Sequence, residues 1–538
     1  MKKQLLAFIL SFILLLSAAF VPARAAGEVR PEELAWTRLY ENISQPANGF
    51  TYTNTIFTNA FGKRTETFAV ETTPTGDVYP IVATAPALYN AMTVDELTAY
   101  WQEQGLNVYA AINADFFYSS ENLPLGGVIR DGRFVSSLNN ESLLAFTPWG
   151  AFYSSLPTVD ITLVKAGGDR VPVNHLNKVR TTSGGLFLYT CDYHPDSTQT
   201  SRKGWAVRFK ILEGKLTVSG SVTLRVEEVI PSCTDIAIGE GYMVLTSSGD
   251  GAYAEIYKRF FAGDVVTLET KCSDPRLREA VWATGCGDLI IDNGTLTDTA
   301  LWDQAISDKN HPRTAIGIKA DGSVMAYVVD GRRSNYSSGA TLAELATEMK
   351  SRGCIYAVNL DGGGSSVMSV RLPGQEACTV VNRPSNGSPR KCSTYILFVS
   401  DLKRGGGVKR IHLDEDGALT LAGSSLLLNM SATDAAGFPA EVPSDVTVTA
   451  KLGTVVDGVY IAGERAGVDT LTFRSYSTGA SGTATIHIVG LVDSLSVVDM
   501  ETGAMPALYD MAPGDTAQFI VSARFIERDV ITDGATLR

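Results

Sequence analysis

The sequence predicts a mixed α/β (α+β) domain built on a strand-rich sheet core, followed by all-β sandwich modules. Three observations carry this reading. Between residues 50 and 402, short alternating or apolar strand-like runs dominate, and the two clearest helix signals, at Thr93 and Thr341, each precede a buried strand. After the glycine-rich stretch Lys403-Arg404-Gly405-Gly406-Gly407, read as a linker, the texture is all-β. At 538 residues the chain is too long for one ordinary domain, and its 45% hydrophobic content supplies cores for two or three.

Residues 1–26 join Lys2 and Lys3 to an apolar run over 5–20 and a small-x-small site, Ala23-Arg24-Ala25, the pattern of a secretory signal peptide. A secreted or cell-envelope protein is therefore expected. The apolar run is short for a membrane span, and no later run is long enough to be one. Loss of Lys2, Lys3 and Arg24 takes the formal charge from −13 to −16. That balance argues against nucleic acid and anionic membrane surfaces as partners, because neutralising phosphates takes clustered Lys and Arg.

Residues 27–49 read as an N-terminal extension in which 32–40 could form a short helix. Strand signals follow at 51–58, 65–70 and 81–84. Thr93 with Glu96 then forms a capping box, the helix ends near Gly105, and a strand over 108–112 delivers Asn113 and Asp115. Residues 133–310 are mostly short β-like runs that supply packing strands and could wall a pocket; His175 and His194 there have no partner at metal-ligand spacing. Seven cysteines, at 191, 233, 272, 286, 354, 378 and 392, leave at least one unpaired. Cys378 with Cys392 could staple a loop, Cys272 with Cys286 is a weaker pair, and reduced buried thiols fit both equally well.

The densest chemistry lies between 311 and 366. A strand over 323–329 runs into Asp330-Gly331-Arg332, and one over 355–358 runs into Asn359-Leu360-Asp361-Gly362-Gly363-Gly364-Ser365-Ser366. Between them Thr341 and Glu344 cap a helix whose apolar face is Leu342, Leu345, Ala346 and Met349. A strand-helix-strand unit makes the two strands parallel, so Asp330 and Asp361 should leave the same sheet edge, about 5 Å apart if neighbours and about twice that if one strand intervenes. Three glycines in succession suit backbone that must take φ > 0 or lie against a ligand. His311-Pro312-Arg313 opens the block, and Arg313 has the planar, permanent charge suited to a phosphate; Asn382 and Arg390 could complete an anion pocket.

These residues resemble the phosphodiester glycosidases, the family of the mammalian lysosomal uncovering enzyme. The matching segments are Arg313-Thr314-Ala315-Ile316-Gly317, Asp321-Gly322, Asp330-Gly331, Gly339 with Leu342 and Glu344, and Asn359 to Ser365, with Asn113-Ala114-Asp115-Phe116-Phe117 and Gly126 to Gly132 further back. The likeness spans roughly residues 50–400; it departs at Asp115, where the family carries a small residue, and after 400. It implies hydrolysis of a sugar 1-phosphodiester at the anomeric carbon. Asp361 and Asp330 would provide the carboxylates, with Asp115 a third. Gly362, Gly363, Gly364 and Ser365 would present N–H groups and a hydroxyl to phosphate, helped by Arg313, Arg332, Asn113, Asn382 and Arg390. No cofactor is required, although the three aspartates could instead hold a divalent cation for P–O cleavage. A non-catalytic polysaccharide-binding protein is the third alternative. There is no Gly-x-Ser-x-Gly elbow, His-Glu-x-x-His pair or P-loop.

Residues 408–490 alternate in short strands and resemble the bacterial immunoglobulin-like modules of exported proteins, which implies contact with cell-surface polymers. A faint repeat extends the pattern: Gly423 with Ser431-Ala432 recurs as Gly514 with Ser522-Ala523, after Val408 and Val492. The second copy, 491–538, stops short of a full sandwich, so the chain could be a fragment of a longer protein; the alternative is a single strand-rich tail packed on the first module.

Overall fold

The computed structural model describes residues 36–533 apart from 60, 119, 181–183, 249–250, 506–511, 515 and 517; the signal-peptide segment lies outside these. Two sheets face each other at the heart of the larger unit. One has eight strands in the order Thr37–Ala47, Phe50–Thr58, Arg64–Thr72, Val324–Val329, Arg313–Lys319, Cys354–Asn359, Leu289–Asp292, Thr295–Leu296. The other has five: Thr379–Val380, Met368–Val370, Asn107–Asn113, Thr394–Ser400, Tyr79–Thr84. Phe68, Val70, Ile316, Val328 and Val358 of the first meet Ile112, Met368, Ile396 and Phe398 of the second in one buried core. Alternation explains the layering, since the opposite faces of the same strands carry a second apolar set.

Each outer face is covered by a helix. On the eight-stranded sheet lies Leu342–Ser351, whose Leu342, Leu345 and Met349 pack on Ala315, Met325, Tyr327 and Ala357. Val94–Glu103 does the same for the smaller sheet, setting Val94 and Leu97 on Ala83, Ala111, Tyr395 and Leu397. Both helices begin in the expected capping boxes, Thr93 with Glu96 and Thr341 with Glu344. The result is a helix, sheet, sheet, helix stack. Residues 37–40 belong to the first strand, so the short helix read over 32–40 is corrected where the chain is described; pairing with Phe50–Thr58 outweighs the weak local signal.

Inserted between the halves of this stack, residues 128–286 form a five-stranded and an eight-stranded sheet around a separate core that includes Leu143, Leu163, Trp205, Phe209, Leu224 and Leu268. Past 408, a large sheet and a small three-stranded one enclose Ile411, Leu426, Tyr460, Leu471, Phe473 and Ile486. The faint repeat has a geometric counterpart: Met430–Thr433 pairs antiparallel with Arg410–Leu413, as Phe519–Phe525 does with Ser494–Asp499. The last hairpin, however, extends the large sheet through Ala418–Leu421 instead of starting a new one. Arg371 ties this part to the stack: its guanidinium lies 4.4 Å from the Tyr109 ring and 4.3 Å from Phe438, and donates to Asn107 Oδ1 and Ala436 O.

All seven cysteines are free thiols, including Cys378 with Cys392 and Cys272 with Cys286. The Cys378 and Cys392 sulfurs lie instead 3.6 and 3.7 Å from the carbonyls of Val108 and Arg390.

Candidate active site

Val324–Val329 and Cys354–Asn359 are each antiparallel to Arg313–Lys319 between them, so they run parallel with one strand intervening, and Asp330 and Asp361 leave the same sheet edge. The facing sheet delivers Asn113 there. Its Nδ2 donates to Asp361 O at 2.6 Å, while its Oδ1 accepts from Thr314 Oγ1 and Val367 N. Asp361 N also donates to Ala114 O. Asn113 is thus the pin that fixes the Asp361 loop across both sheets, with its Oδ1 and one Nδ2 hydrogen taken by protein.

The three aspartates have unequal access. Asp361 is half-buried; burial raises its carboxyl above the usual range, partly offset by the Ser365 hydroxyl, the Arg390 charge and the Gly362 amide. Arg390 Nη1 donates to Ser365 Oγ at 3.2 Å, so a short relay runs from guanidinium to hydroxyl to carboxylate. Asp330, only 1% exposed, is closed: Asn382 Nδ2 donates to Oδ1 at 2.7 Å, and Arg383 N and Tyr336 OH donate to Oδ2 at 2.7 and 2.8 Å. Burial pushes its carboxyl up to about 6 in spite of those donors. Asn382 also accepts from Met368 N, so Asp330 and Asn382 brace the loops around the site and are corrected from substrate contact to positioning.

Asp115 is buried as well. Gly126 N donates to it, and Gly285 packs so closely that a Cβ there would fall 2.4 Å from its Oδ2. Lys178, which donates to the carbonyls of Pro124, Leu125 and Gly126, supplies the compensating charge; burial shifts the Asp115 carboxyl up and the Lys178 ammonium down. Asp115 sits behind the wall and not on it.

Arg313 is a second correction. It is 2% exposed and spends its guanidinium on the carbonyls of Ala340, Ile306 and Lys309. Loop closure over the guanidinium removes it from phosphate binding. The glycine run is a third. Gly363, at φ 62°, donates its amide to Pro312 O, and the amides of Ser365 and Ser366 bond back to Gly362 and Gly363. These three N–H groups are turned into the protein, so this part of the run is a tight turn that carries Asp361. Exposed Arg332 and Arg390 are the cations left at its surface. The Arg332 guanidinium lies where a Cβ on Gly363 would meet it at 3.2 Å, and it donates to His311 Nδ1 at 3.0 Å. Burial, then Arg332, lowers the His311 pKa. A neutral ring accepting at Nδ1 keeps its proton on Nε2.

A cavity of about 1160 Å3 adjoins the strand that leads into Asp361. Its wall includes Phe116, Glu141, Gly287, Asp288, Asp303 and Tyr356; Asp361 is not part of it. The two adjoin nonetheless, since Gly287 N donates to Asn359 O, Asn359 N donates to Asp288 O, and Asp361 is two residues on, within about 7 Å along the chain. Glu141 and Asp288 have carboxyls raised by burial. Sequence reading singled out neither, nor His311, because each lies outside the glycine-rich run and reaches the site only through tertiary packing. Among the described residues no three His, Cys, Asp or Glu side chains form a metal-ligand group, and the protein donors on Asp330 occupy the oxygens such a set would use.

Residues 215–399, about a third of the chain, match the phosphodiester glycosidase (NAGPA) family. Over this stretch the chain matches a phosphodiester glycosidase domain. It holds Arg313, Asp330, Arg332, Asp361 and Arg390, while Asn113 and Glu141 come from outside it. An uncharacterised SPbeta prophage-derived protein of Bacillus subtilis (strain 168), YomE, is 50% identical over 60 residues, which is 11% of this chain and 9% of that protein. Two solved structures share the fold. A protein of Burkholderia pseudomallei K96243 aligns at TM-score 0.53 and 16% identity over 68% of this chain and 96% of its own. A hypothetical protein from Synechocystis aligns at 0.52 and 19% over 65% of this chain and 62% of its own. The chain thus spans less than two thirds of the prophage and cyanobacterial proteins.

Proposed function

We propose that the phosphodiester glycosidase domain is a hydrolase that cleaves sugar 1-phosphodiesters, of the GlcNAc-1-phosphodiester or envelope-polymer kind, at the anomeric carbon. The observation that carries this is the half-buried Asp361 carboxylate, set at a strand end with a hydroxyl behind it and Arg332 and Arg390 beside its loop. Water enters at the anomeric carbon, the C–O bond to phosphate breaks, and a sugar and a phosphate monoester leave. The monoester is a weak base and needs little protonation, so charge compensation matters most. Asp361 offsets the positive charge that develops on the sugar. Arg332 and Arg390 take the departing phosphate, and His311 Nε2–H is a further donor there. Export rests on the N-terminal sequence pattern, and the C-terminal β units, read as immunoglobulin-like, would hold the enzyme against cell-surface polymer.

The test is turnover of a GlcNAc-1-phosphodiester by the full chain and by Asp361→Asn, with circular dichroism to confirm folding. Loss of about a hundredfold or more in kcat/KM with an unchanged fold is expected. Equal rates would remove Asp361 from the chemistry, and no turnover by the wild type would favour a binding role.

A further inference from the structure

The cavity beside Asn359 is walled by carboxylates, aromatic rings and aliphatic side chains, which is not the character of a phosphate site. At about 1160 Å3 it exceeds the roughly 300–1,000 Å3 of pockets that bury one drug-sized ligand. More than one sugar ring fits. Three of its carboxylates, Glu141, Asp288 and Asp303, stand against one guanidinium, Arg276, whose charge is already committed to Asp274 at 2.6 Å. Ionised carboxylates only accept hydrogen bonds: they pair with hydroxyls and repel a phosphate. Phe116 and Tyr356, both half-buried, offer ring surface for the apolar face of a sugar. Asn359, 1% exposed, packs its Nδ2 against Gly287 of the wall and so ties the strand before Asp361 to the cavity.

The cavity is thus acidic and aromatic, whereas the loop that carries Asp361 has the cations Arg332 and Arg390 beside it. We propose that the cavity is a subsite for a neutral oligosaccharide of two or more rings, oriented with its anomeric phosphate toward Arg332 and Arg390. This rests on the reaction assigned above and gives it a direction and a substrate class: a phosphate-linked oligosaccharide in place of a single sugar.

The experiment is calorimetric titration of the full-length Asp361→Asn protein with neutral trisaccharides (chitotriose, maltotriose, mannotriose) and separately with inorganic phosphate. At least one trisaccharide should bind, and Glu141→Gln and Tyr356→Ala should each weaken it about tenfold while leaving phosphate binding unchanged. Near-UV circular dichroism confirms that both variants are folded, and the isosteric Glu141→Gln decides if Tyr356→Ala is not. Binding of none of the three, or binding indifferent to the cavity substitutions, overturns the subsite. If a trisaccharide binds but the wild type cleaves no sugar 1-phosphodiester, the assigned reaction falls and the subsite stands. Should phosphodiesters be cleaved with kcat/KM indifferent to the cavity substitutions for mono- and trisaccharide esters alike, the subsite falls alone.

Discussion

Replacing Ser365 by alanine removes the hydroxyl that stands between Arg390 and Asp361 without adding bulk to a fully buried position. A hydrogen bond to a charged group contributes about 1.5–3 kcal/mol, and its loss destabilises the ionised Asp361 carboxylate relative to the acid. The carboxyl pKa moves upward, because the lost bond favours the anion, and this adds to the rise already caused by burial. If ionised Asp361 is required, the acid limb of the kcat/KM profile lies above the ordinary carboxylate value in the wild type. Ser365→Ala shifts that limb to higher pH, and the rate on its alkaline side falls less than the rate at pH 5. Arg390→Gln should move the limb the same way by less, since that side chain is exposed and salt-screened. The assay is a pH series of initial rates on a GlcNAc-1-phosphodiester. A limb that stays in place in Ser365→Ala would show that the group titrating in the wild type is not Asp361.

Asp330→Asn sets an amide against three converging donors and should cost about 1–3 kcal/mol in urea unfolding. The folded Asp330 carboxyl titrates near 6 and the unfolded one near 3.8, so the folded state keeps its proton longer and stability falls as pH rises through that window, by up to about 3 kcal/mol. Urea midpoints at pH 4.5 and 6.5 should therefore differ more in the wild type than in Asp330→Asn. Arg371→Met leaves Asn107 Oδ1 without its donor, takes one of two donors from Ala436 O, which keeps Asn107 Nδ2, and removes the stack between Tyr109 and Phe438; tryptic cleavage at Lys403 or Arg404 should quicken about tenfold or more. Loss of His311 Nε2–H in His311→Ala should lower kcat/KM about tenfold or more, with an unchanged melting profile as the control.

Local signals were legible where the chemistry is local. Thr93 and Thr341 announce helices because a capping box needs only residues three apart, and the parallel relation of the strands before Asp330 and Asp361 follows from the single helix between them. Side-chain destinations were not legible in the same way. Arg313 has the chemistry of a phosphate ligand, yet which carbonyls fold over it depends on Ile306, Lys309 and Ala340, which no spacing rule reports. The glycine run has the composition of an anion nest, yet the Gly363 amide donates to Pro312 O. Glu141 and Asp288 fall among unremarkable β-like runs and become notable only when Leu289–Asp292 pairs with Cys354–Asn359 and brings the cavity to Asp361.

The most direct test is hydrolysis of a GlcNAc-1-phosphodiester in heavy-oxygen water, with mass spectrometry of both products. Attack at the anomeric carbon beside Asp361 places the label in the released sugar and none in the phosphate monoester. Label in the phosphate would mean that the P–O bond breaks, and the roles given to Asp361, Arg332 and Arg390 would be contradicted together.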